Sequence, residues 1–160
     1  MPTLPQLIEE DVQRLDGILT ELLERTDATT AAIIDKGGFL ITHAGEGRQF
    51  DLTTIAALAS GAYMANQTIA NLVHETNFNS VYQQGEKHSM FVICVDEHCL
   101  LVVIFGAQLS VGVVKYFSQP AANKIARQLE IAQQREPGAG LDLSVLNVAD
   151  SESLFRKKAE

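Results

Sequence analysis

The spacing of apolar residues predicts an amphipathic helix near each end of the folded part of the chain. In residues 6–25, apolar side chains recur every three or four positions with acidic residues between them; the apolar set is Ile8, Val12, Leu15, Leu19 and Leu22. Residues 110–135 repeat this spacing with the inward set Val113, Phe117, Ala121, Ile125, Leu129 and Ala132. Pro120 interrupts the second helix, so we expect a kink or a restart capped by Ser118, the alternative being an extended segment over residues 111–117.

Residues 51–75 predict a longer helix of a different kind. Asp51 is a candidate N-cap, and no charged residue occurs from Thr53 through Val73. One stripe of this helix consists of Leu52, Ile55, Ala59, Ala62, Asn66, Ile69 and Val73. A surface helix has one charged face, whereas a helix without charge is covered on all sides. We therefore expect one face to lie on the chain's own sheet and the other to contact a second molecule.

A tight hairpin is predicted between the first two helices. Its strands are residues 29–34 and 39–43, and the glycines of Asp35-Lys36-Gly37-Gly38 suit the turn. A phosphate-binding loop is the other interpretation of these glycines, but it would need a helix to follow, and a strand follows instead.

Three further strands are predicted after the central helix. Residues 80–84 are short and polar, which suits a sheet edge. Residues 90–95 and 99–105 are almost continuously apolar, which indicates that both faces of the sheet are covered. The predicted class is α/β, with the element order α-β-β-α-β-β-β-α.

Composition favours a single cytoplasmic domain. The chain has 160 residues, of which 46% are hydrophobic, enough to bury a core. A net charge of −8 argues against nucleic acid or an anionic membrane as a partner. Cys94 and Cys99 lie at the ends of apolar runs, as reduced core thiols do. The N-terminus lacks the apolar stretch of a signal peptide, and the uncharged central helix is too polar to span a bilayer.

No constellation of residues predicts catalysis, a cofactor or a metal site. Cys94, His98 and Cys99 resemble half a zinc site, but a second pair of ligands is missing. Ala59-Ser60-Gly61 lies within a helix, where small residues are better explained by close packing than by a nucleophile. Arg48 is more simply a solvated loop residue than an arginine finger. We expect no enzymatic activity of the chain's own.

Several motifs in combination resemble the Roadblock family. They are Asp35-Lys36-x-Gly38, then Asp51, Leu58, Gly61, Leu72, Glu75 and Phe78, then Gly85, Lys87, Leu101–Phe105 and Ser110-x-Gly112, and finally an acidic tail with Leu154-Phe155. The resemblance implies a five-stranded antiparallel sheet, with the long second helix on one face and the other two helices on the other. The chain departs from the family pattern at Met64 and Thr68, where relatives carry smaller residues, and at Pro120.

The resemblance also implies a homodimer that regulates a small Ras-like GTPase. Second helices and third strands would pair across a two-fold axis through Leu58, Ala62, Ile69, Val81 and Tyr82. The GTPase would be bound by Ala57, Gly61, Met64, Ala65, Thr68, Leu154 and Phe155. The expected function is activation of GTP hydrolysis without an arginine finger, in bacterial cell polarity or motility. The alternative is a non-catalytic adaptor that binds a GTPase without altering its turnover.

We expect the chain to divide into a Roadblock-like domain, residues 1–135, and a flexible tail, residues 136–160. The tail has too few large apolar residues to fold alone, yet more than a purely solvating tail needs. One interpretation is a segment that becomes ordered on a partner. The other is a tail that lies on the protein's own surface.

Overall fold

The computed structural model describes residues 4–46 and 48–135, which form three helices and five strands. They are α1 (Glu9–Thr26), β1 (Thr30–Asp35), β2 (Leu40–Gly45), α2 (Leu52–Leu72), β3 (Ser80–Gln83), β4 (His88–Cys94), β5 (Cys99–Gly106) and α3 (Val111–Gln134). The predicted order of elements is confirmed, and their ends differ from the predicted ends by a few residues. The predicted tail, residues 136–160, lies outside the described residues.

All five strands form one antiparallel sheet in the order β2-β1-β5-β4-β3. β5 lies at its centre, where Val102 is paired with Ala32 on one side and with Val92 on the other. β2 and β3 form the two edges of the sheet. The edge position of β3 is the one that its short, polar sequence predicts. β5 is apolar throughout because both faces of this central strand are covered.

Each face of the sheet has its own apolar core, which confirms the predicted layers. Successive residues of a strand point to opposite faces, so Ile33 packs in the core formed with α1 and α3, while Ile34 packs in the core formed with α2. The first core includes Leu15, Leu19, Phe91, Phe105, Ile125 and Leu129. The second includes Leu52, Ala56, Ala59, Tyr63, Val92, Leu100 and Val102.

α3 continues through Pro120, so the predicted restart at Ser118 and the extended alternative for residues 111–117 are both wrong. The N-cap is Ser110, whose hydroxyl accepts a hydrogen bond from the Gly112 amide at 3.2 Å. Pro120 lies on the exposed side, and the residues that follow it are buried against the core, so packing holds the helix together despite the lost hydrogen bond. The buried stripe begins at Val114, because Val113 is exposed.

The stripe of α2 that packs on the sheet is not the stripe that its apolar spacing suggests. The buried residues are Leu52, Ala56, Ala59, Ser60, Tyr63 and Ala70, whereas Ala62, Ile69 and Val73 are exposed. The helix ends at Leu72, three residues before the predicted end, and His74 adopts a left-handed φ of 62° just beyond it. Among the described residues, no helix is both long and apolar enough to cross a membrane.

A buried ion pair joins the start of α1 to the end of α3. The Asp11 carboxylate accepts hydrogen bonds from Arg135 Nη1 at 2.7 Å and Nη2 at 3.0 Å, from Gln128 Nε2 at 2.8 Å and from the Ile8 amide at 2.9 Å. The hydrogen bonds from Arg135 contribute most to lowering the pKa of Asp11 to about 2, against the opposing effect of burial. This pair fixes Arg135, the last described residue, against the start of α1.

Candidate functional site

The outer face of α2 is apolar and uncharged, which is unusual for a helix at the surface of a domain. Leu58 is 69% exposed and Leu72 is 75% exposed, and the helix sequence contains no charged residue. The exposed positions on this side are Thr54, Ala57, Leu58, Gly61, Ala62, Met64, Ala65, Thr68, Ile69 and Leu72, which we call the α2 outer face. Contiguous exposed apolar surface of this kind marks an interaction site.

The hairpin between β1 and β2 borders one side of the α2 outer face. The Ser60 hydroxyl donates a hydrogen bond to the Lys36 carbonyl. A Cβ added to Gly38 would lie 3.2 Å from the Cα of Ala57, and Gly38 has a φ of 99°, so this position requires glycine on two grounds. Residues three and four apart share a side of a helix. The side that carries Ala57 and Met64 therefore faces the hairpin.

The structure places the described part of the predicted partner-binding set on this face. All of its members within α2 are exposed, namely Ala57, Gly61, Met64, Ala65 and Thr68. Helical spacing puts most of them on the half nearer the hairpin, with Ala65 towards the middle. The remaining two members, Leu154 and Phe155, lie outside the described residues. Whether these residues bind a partner stays a prediction.

Gly61 is the position on this face that the chain's own packing does not explain. A Cβ added there would meet no other atom within 4 Å, whereas the sequence predicted close packing for this stretch. Glycine in a helix interior costs about 1 kcal/mol relative to alanine. Its small size therefore has no explanation in the packing of the described residues.

The helix residues predicted to form the dimer interface lie together on the half of the α2 outer face away from the hairpin. Leu58, Ala62 and Ile69 are all exposed there.

The two dimer residues predicted in β3 lie on opposite faces of the sheet. Val81 is paired with Val92, which belongs to the core beneath α2. Tyr82 is on the other face, where its ring stacks on Phe105 with a centroid distance of 6.1 Å. Among the strands of the described residues, β3 is hydrogen-bonded to β4 alone. Its other edge is available for strand pairing.

Phe39 extends the apolar surface and was missed by sequence reasoning. Its side chain is 74% exposed at the tip of the hairpin that borders α2. The tip is firmly held, because the Phe39 amide donates to Asp35 Oδ1 at 2.9 Å and the Asp35 amide donates to the Phe39 carbonyl at 2.9 Å. The turn was predicted from its glycines. A large aromatic residue directly after the turn is the sequence signal from which this exposed contact could have been predicted.

A polar cluster ties the end of α2 to the loop that precedes β3. The Tyr63 hydroxyl accepts hydrogen bonds from Gln67 Nε2 at 2.8 Å and from Asn77 Nδ2 at 3.2 Å, and Gln67 Nε2 also donates to Asn77 Oδ1 at 2.8 Å. Burial is the main reason why the pKa of Tyr63 is raised above 10.0. The cluster fixes α2 relative to the edge strand, so the two predicted interface elements keep a set geometry.

The candidate metal ligands and thiols weighed in the sequence are not assembled into one cluster in the described residues. No group of three or more His, Cys, Asp or Glu residues among them is placed to hold a metal ion. Cys94 and Cys99 are free thiols, and burial raises the pKa of Cys99 to about 12, so its reactive thiolate form is disfavoured. Arg48 is exposed in the loop before α2 and does not belong to the α2 outer face.

Comparison with solved structures shows three MglB proteins that cover most of the chain. An MglB with a tetrameric arrangement is 31% identical, with a TM-score of 0.76, over 82% of this chain and 99% of the other. The gliding protein MglB from Thermus thermophilus is 31% identical, with a TM-score of 0.75, over 81% and 98%. Myxococcus xanthus MglB is 26% identical, with a TM-score of 0.75, over 82% and 99%.

Comparison with curated proteins finds no match. The Roadblock/LC7 domain, in contrast, matches residues 15–105, which run from the middle of α1 almost to the end of β5 and make up more than half of the chain. The expected resemblance is thus confirmed by the sequence of the domain and by its fold. The chain belongs to the Roadblock/LC7 family.

Proposed function

We propose that this protein is a homodimeric, MglB-like regulator that binds a small Ras-like GTPase of the MglA type and accelerates its GTP hydrolysis. The uncharged, apolar α2 outer face is the observation that carries the proposal. The similarity to MglB structures, one of them a gliding protein, supports a role in bacterial cell polarity or motility.

A dimer accounts for the half of the α2 outer face that lies away from the hairpin. Two β3 strands that pair across a two-fold axis would join two sheets into one. Leu58, Ala62 and Ile69 would then meet the same residues of the second protomer, and Val81 would lie beneath them on the sheet. The tetrameric arrangement of a similar MglB supports self-association of this fold.

The GTPase accounts for the other half of the α2 outer face. Gly61 and Ala65 lower the helix surface there so that a partner can approach its backbone, while Met64 and Phe39 supply apolar contact area. Methionine adapts its shape to the surface that it meets. Leu154 and Phe155 add a second contact from the tail.

The composition of the docking surface limits how it can activate a GTPase. The α2 outer face has no arginine, so it cannot insert one into the nucleotide site of the partner. We infer that acceleration comes from holding the GTPase's own catalytic residues in position. A regulator of this type binds the activated, GTP-bound conformation more tightly than the GDP-bound one.

Single-turnover GTP hydrolysis by a purified MglA-like GTPase, with and without the full chain, tests the proposal. We expect faster hydrolysis and tighter binding to the GTPase loaded with a non-hydrolysable GTP analogue than with GDP. Equal binding to both forms without acceleration would show an adaptor and contradict the activating role. Absence of binding to either form would contradict both roles.

Two variants locate the docking surface. We expect Gly61→Arg and Thr68→Arg each to weaken GTPase binding by about two orders of magnitude, or roughly 3 kcal/mol, because a long charged side chain blocks the apolar contact. Gly17→Arg is the matched control, since Gly17 is also an exposed helical glycine with no atom within 4 Å of an added Cβ, but it lies on α1. Binding that survives both α2 substitutions would exclude this face as the docking surface.

A further inference from the structure

A groove of about 370 Å³ lies between α1 and α3, on the face of the sheet opposite α2. Ile18 and Leu22 of α1 and Phe117 and Pro120 of α3 contribute its apolar walls. Its rim is charged, and Lys124 Nζ lies 3.4 Å from Glu21 Oε2. The groove thus combines apolar walls with a polar rim, as protein interfaces do.

The outer surface of α3 extends this groove along the helix. Residues spaced three or four apart form one row, which consists of Tyr116, Pro120, Lys124, Arg127 and Ile131 and which we call the α3 outer row. Tyr116 is 73% exposed. The row has two cations and no acidic residue, although the chain as a whole has a net charge of −8. Lys124 pairs with Glu21 of α1, whereas none of the ion pairs found among the described residues includes Arg127. It suits an occupant that is apolar and acidic.

Pro120 adds a hydrogen-bond acceptor to the groove. Proline has no backbone N–H, so the carbonyl of Tyr116, four residues earlier, lacks the donor that an uninterrupted helix would supply. Both residues line the groove. A backbone N–H of a docked segment can donate to this carbonyl.

The sequence that follows α3 matches the length and chemistry of the α3 outer row. Pro137 and Gly138 are turn-forming residues, directly beyond the ion pair that fixes Arg135. Next comes Leu141–Val148, LDLSVLNV, which is apolar apart from Asp142, Ser144 and Asn147. The row from Ile131 to Tyr116 is about 22 Å long at roughly 1.5 Å per residue, and eight extended residues span about 26 Å.

We propose that residues 141–148 turn back after α3 and dock in extended form along the α1–α3 groove of their own protomer. Their apolar side chains cover the groove walls and Tyr116, and Asp142 lies beside the cations of the α3 outer row. Leu154 and Phe155 emerge beyond the groove and stay free for other contacts. The inference goes beyond the proposed function and does not depend on it.

A tryptophan reporter tests this docking in the full chain, because the natural sequence has no tryptophan. We expect the fluorescence of Tyr116→Trp to be protected from acrylamide. Adding Leu143→Asp and Val145→Asp should increase the quenching constant several-fold, since charged residues would release the segment. Equal quenching with and without the two aspartates would overturn the proposal.

Phe39→Trp is the matched control reporter. Phe39 is 74% exposed, almost the same as Tyr116, but it lies at the β1–β2 hairpin, away from the groove. Its quenching should not change when Leu143→Asp and Val145→Asp are added. A change as large as that at position 116 would indicate a general effect of the aspartates and contradict docking in the groove.

A mixing experiment distinguishes the chain's own segment from that of a second copy. The Tyr116→Trp chain with both aspartates is incubated with an excess of the unsubstituted chain, which is not fluorescent at tryptophan wavelengths. Quenching that stays high supports docking within one protomer, and restored protection would show that the occupant comes from another copy. Hydrogen exchange gives an independent readout without a reporter: the amides of residues 141–148 should be protected in the unsubstituted chain and lose protection with the two aspartates.

Discussion

The two sides of the sheet differ in what their helices offer to the outside. Both α1 and α2 bury one face on the same sheet, but α1 carries ion pairs on its outer face, with Arg14 2.8 Å from Glu10 and Arg25 3.2 Å from Glu21. α2 has no charged residue over its whole length. Exposed ion pairs add little stability, but they keep a helix surface hydrated. The difference indicates that the α2 outer face is built to be covered along its length, whereas α1 keeps charged groups at its surface, including the rim of the α1–α3 groove.

The largest expected effect is on dimerisation. It is tested by two separate variants, one with a new charge on the α2 side of the sheet and one with a new charge on the α1–α3 side. Ile69 of α2 is 48% exposed and Ile131 of α3 is 50% exposed, so Ile69→Glu and Ile131→Glu are matched substitutions. We expect Ile69→Glu to weaken dimerisation by about two orders of magnitude or more, roughly 3 kcal/mol, because a two-fold interface repeats the buried charge. Ile131→Glu should leave dimerisation unchanged in sedimentation velocity. Equal dissociation of the two variants would mean that the α2 side is not the interface.

A smaller effect, on the free energy of unfolding, is expected from removing the buried ion pair that joins α1 to the end of α3. The pKa of Asp11 is lowered from 3.8 to about 2 in the folded protein, so its ionised form contributes about 2 kcal/mol of stability. This contribution is complete above pH 3.8 and is lost as the pH falls towards 2. We expect Asp11→Asn to lower the free energy of unfolding by about that amount at pH 7.

Urea denaturation at several pH values checks this expectation. The stability difference between the natural chain and Asp11→Asn should narrow as the pH falls from about 4 to about 2. GTPase binding at pH 7 serves as the control, since Asp11 lies on the side opposite the α2 outer face. A difference that stays constant over this pH range would contradict the assigned ionisation.

Sequence patterns predicted the features that depend on local spacing. The missing charges of α2 indicated a covered helix, and the unbroken apolar runs of β4 and β5 indicated a sheet with helices on both faces. Both inferences need only neighbouring residues. These two local patterns were therefore enough to predict the layers of the fold and to identify the helix that carries the candidate site.

Features that depend on tertiary contacts were not predictable in the same way. Asp11 looks like an ordinary surface carboxylate of α1 until the fold brings Arg135 to it. Tyr63 was placed off the apolar stripe, yet it packs in the core beneath α2, and its hydroxyl is satisfied there by Gln67 and Asn77. Val113 and Val114 are equally apolar, and only the docking angle of α3 decides which of them is buried.

Removal of the Tyr63 hydroxyl probes how α2 is fixed relative to β3. In Tyr63→Phe, the amide groups of Gln67 and Asn77 lose a shared acceptor but keep the hydrogen bond to each other. We expect the free energy of unfolding to fall by about 1 kcal/mol. Dimerisation should weaken as well, because β3 is less firmly positioned. Tyr116→Phe is the control, since Tyr116 is an exposed tyrosine of α3 outside the proposed dimer interface. A dimer that is unaffected by Tyr63→Phe would show that the cluster contributes to stability alone.

The smallest expected effect comes from adding a single methyl group to a helix on either side of the sheet. It tests most directly whether the α2 side and the α1 side differ in binding. Gly61 and Gly17 both lie within helices, and an added Cβ meets no atom within 4 Å at either position. Gly61→Ala and Gly17→Ala should therefore each raise the free energy of unfolding of the monomer by about 0.5–1 kcal/mol, measured by urea denaturation. If Gly61 is small in order to let a partner approach, the methyl group lowers GTPase affinity at position 61 and leaves it unchanged at position 17. Equal affinities would mean that the glycine of α2 has no role in binding, and the case for close approach at that point of the helix would be lost.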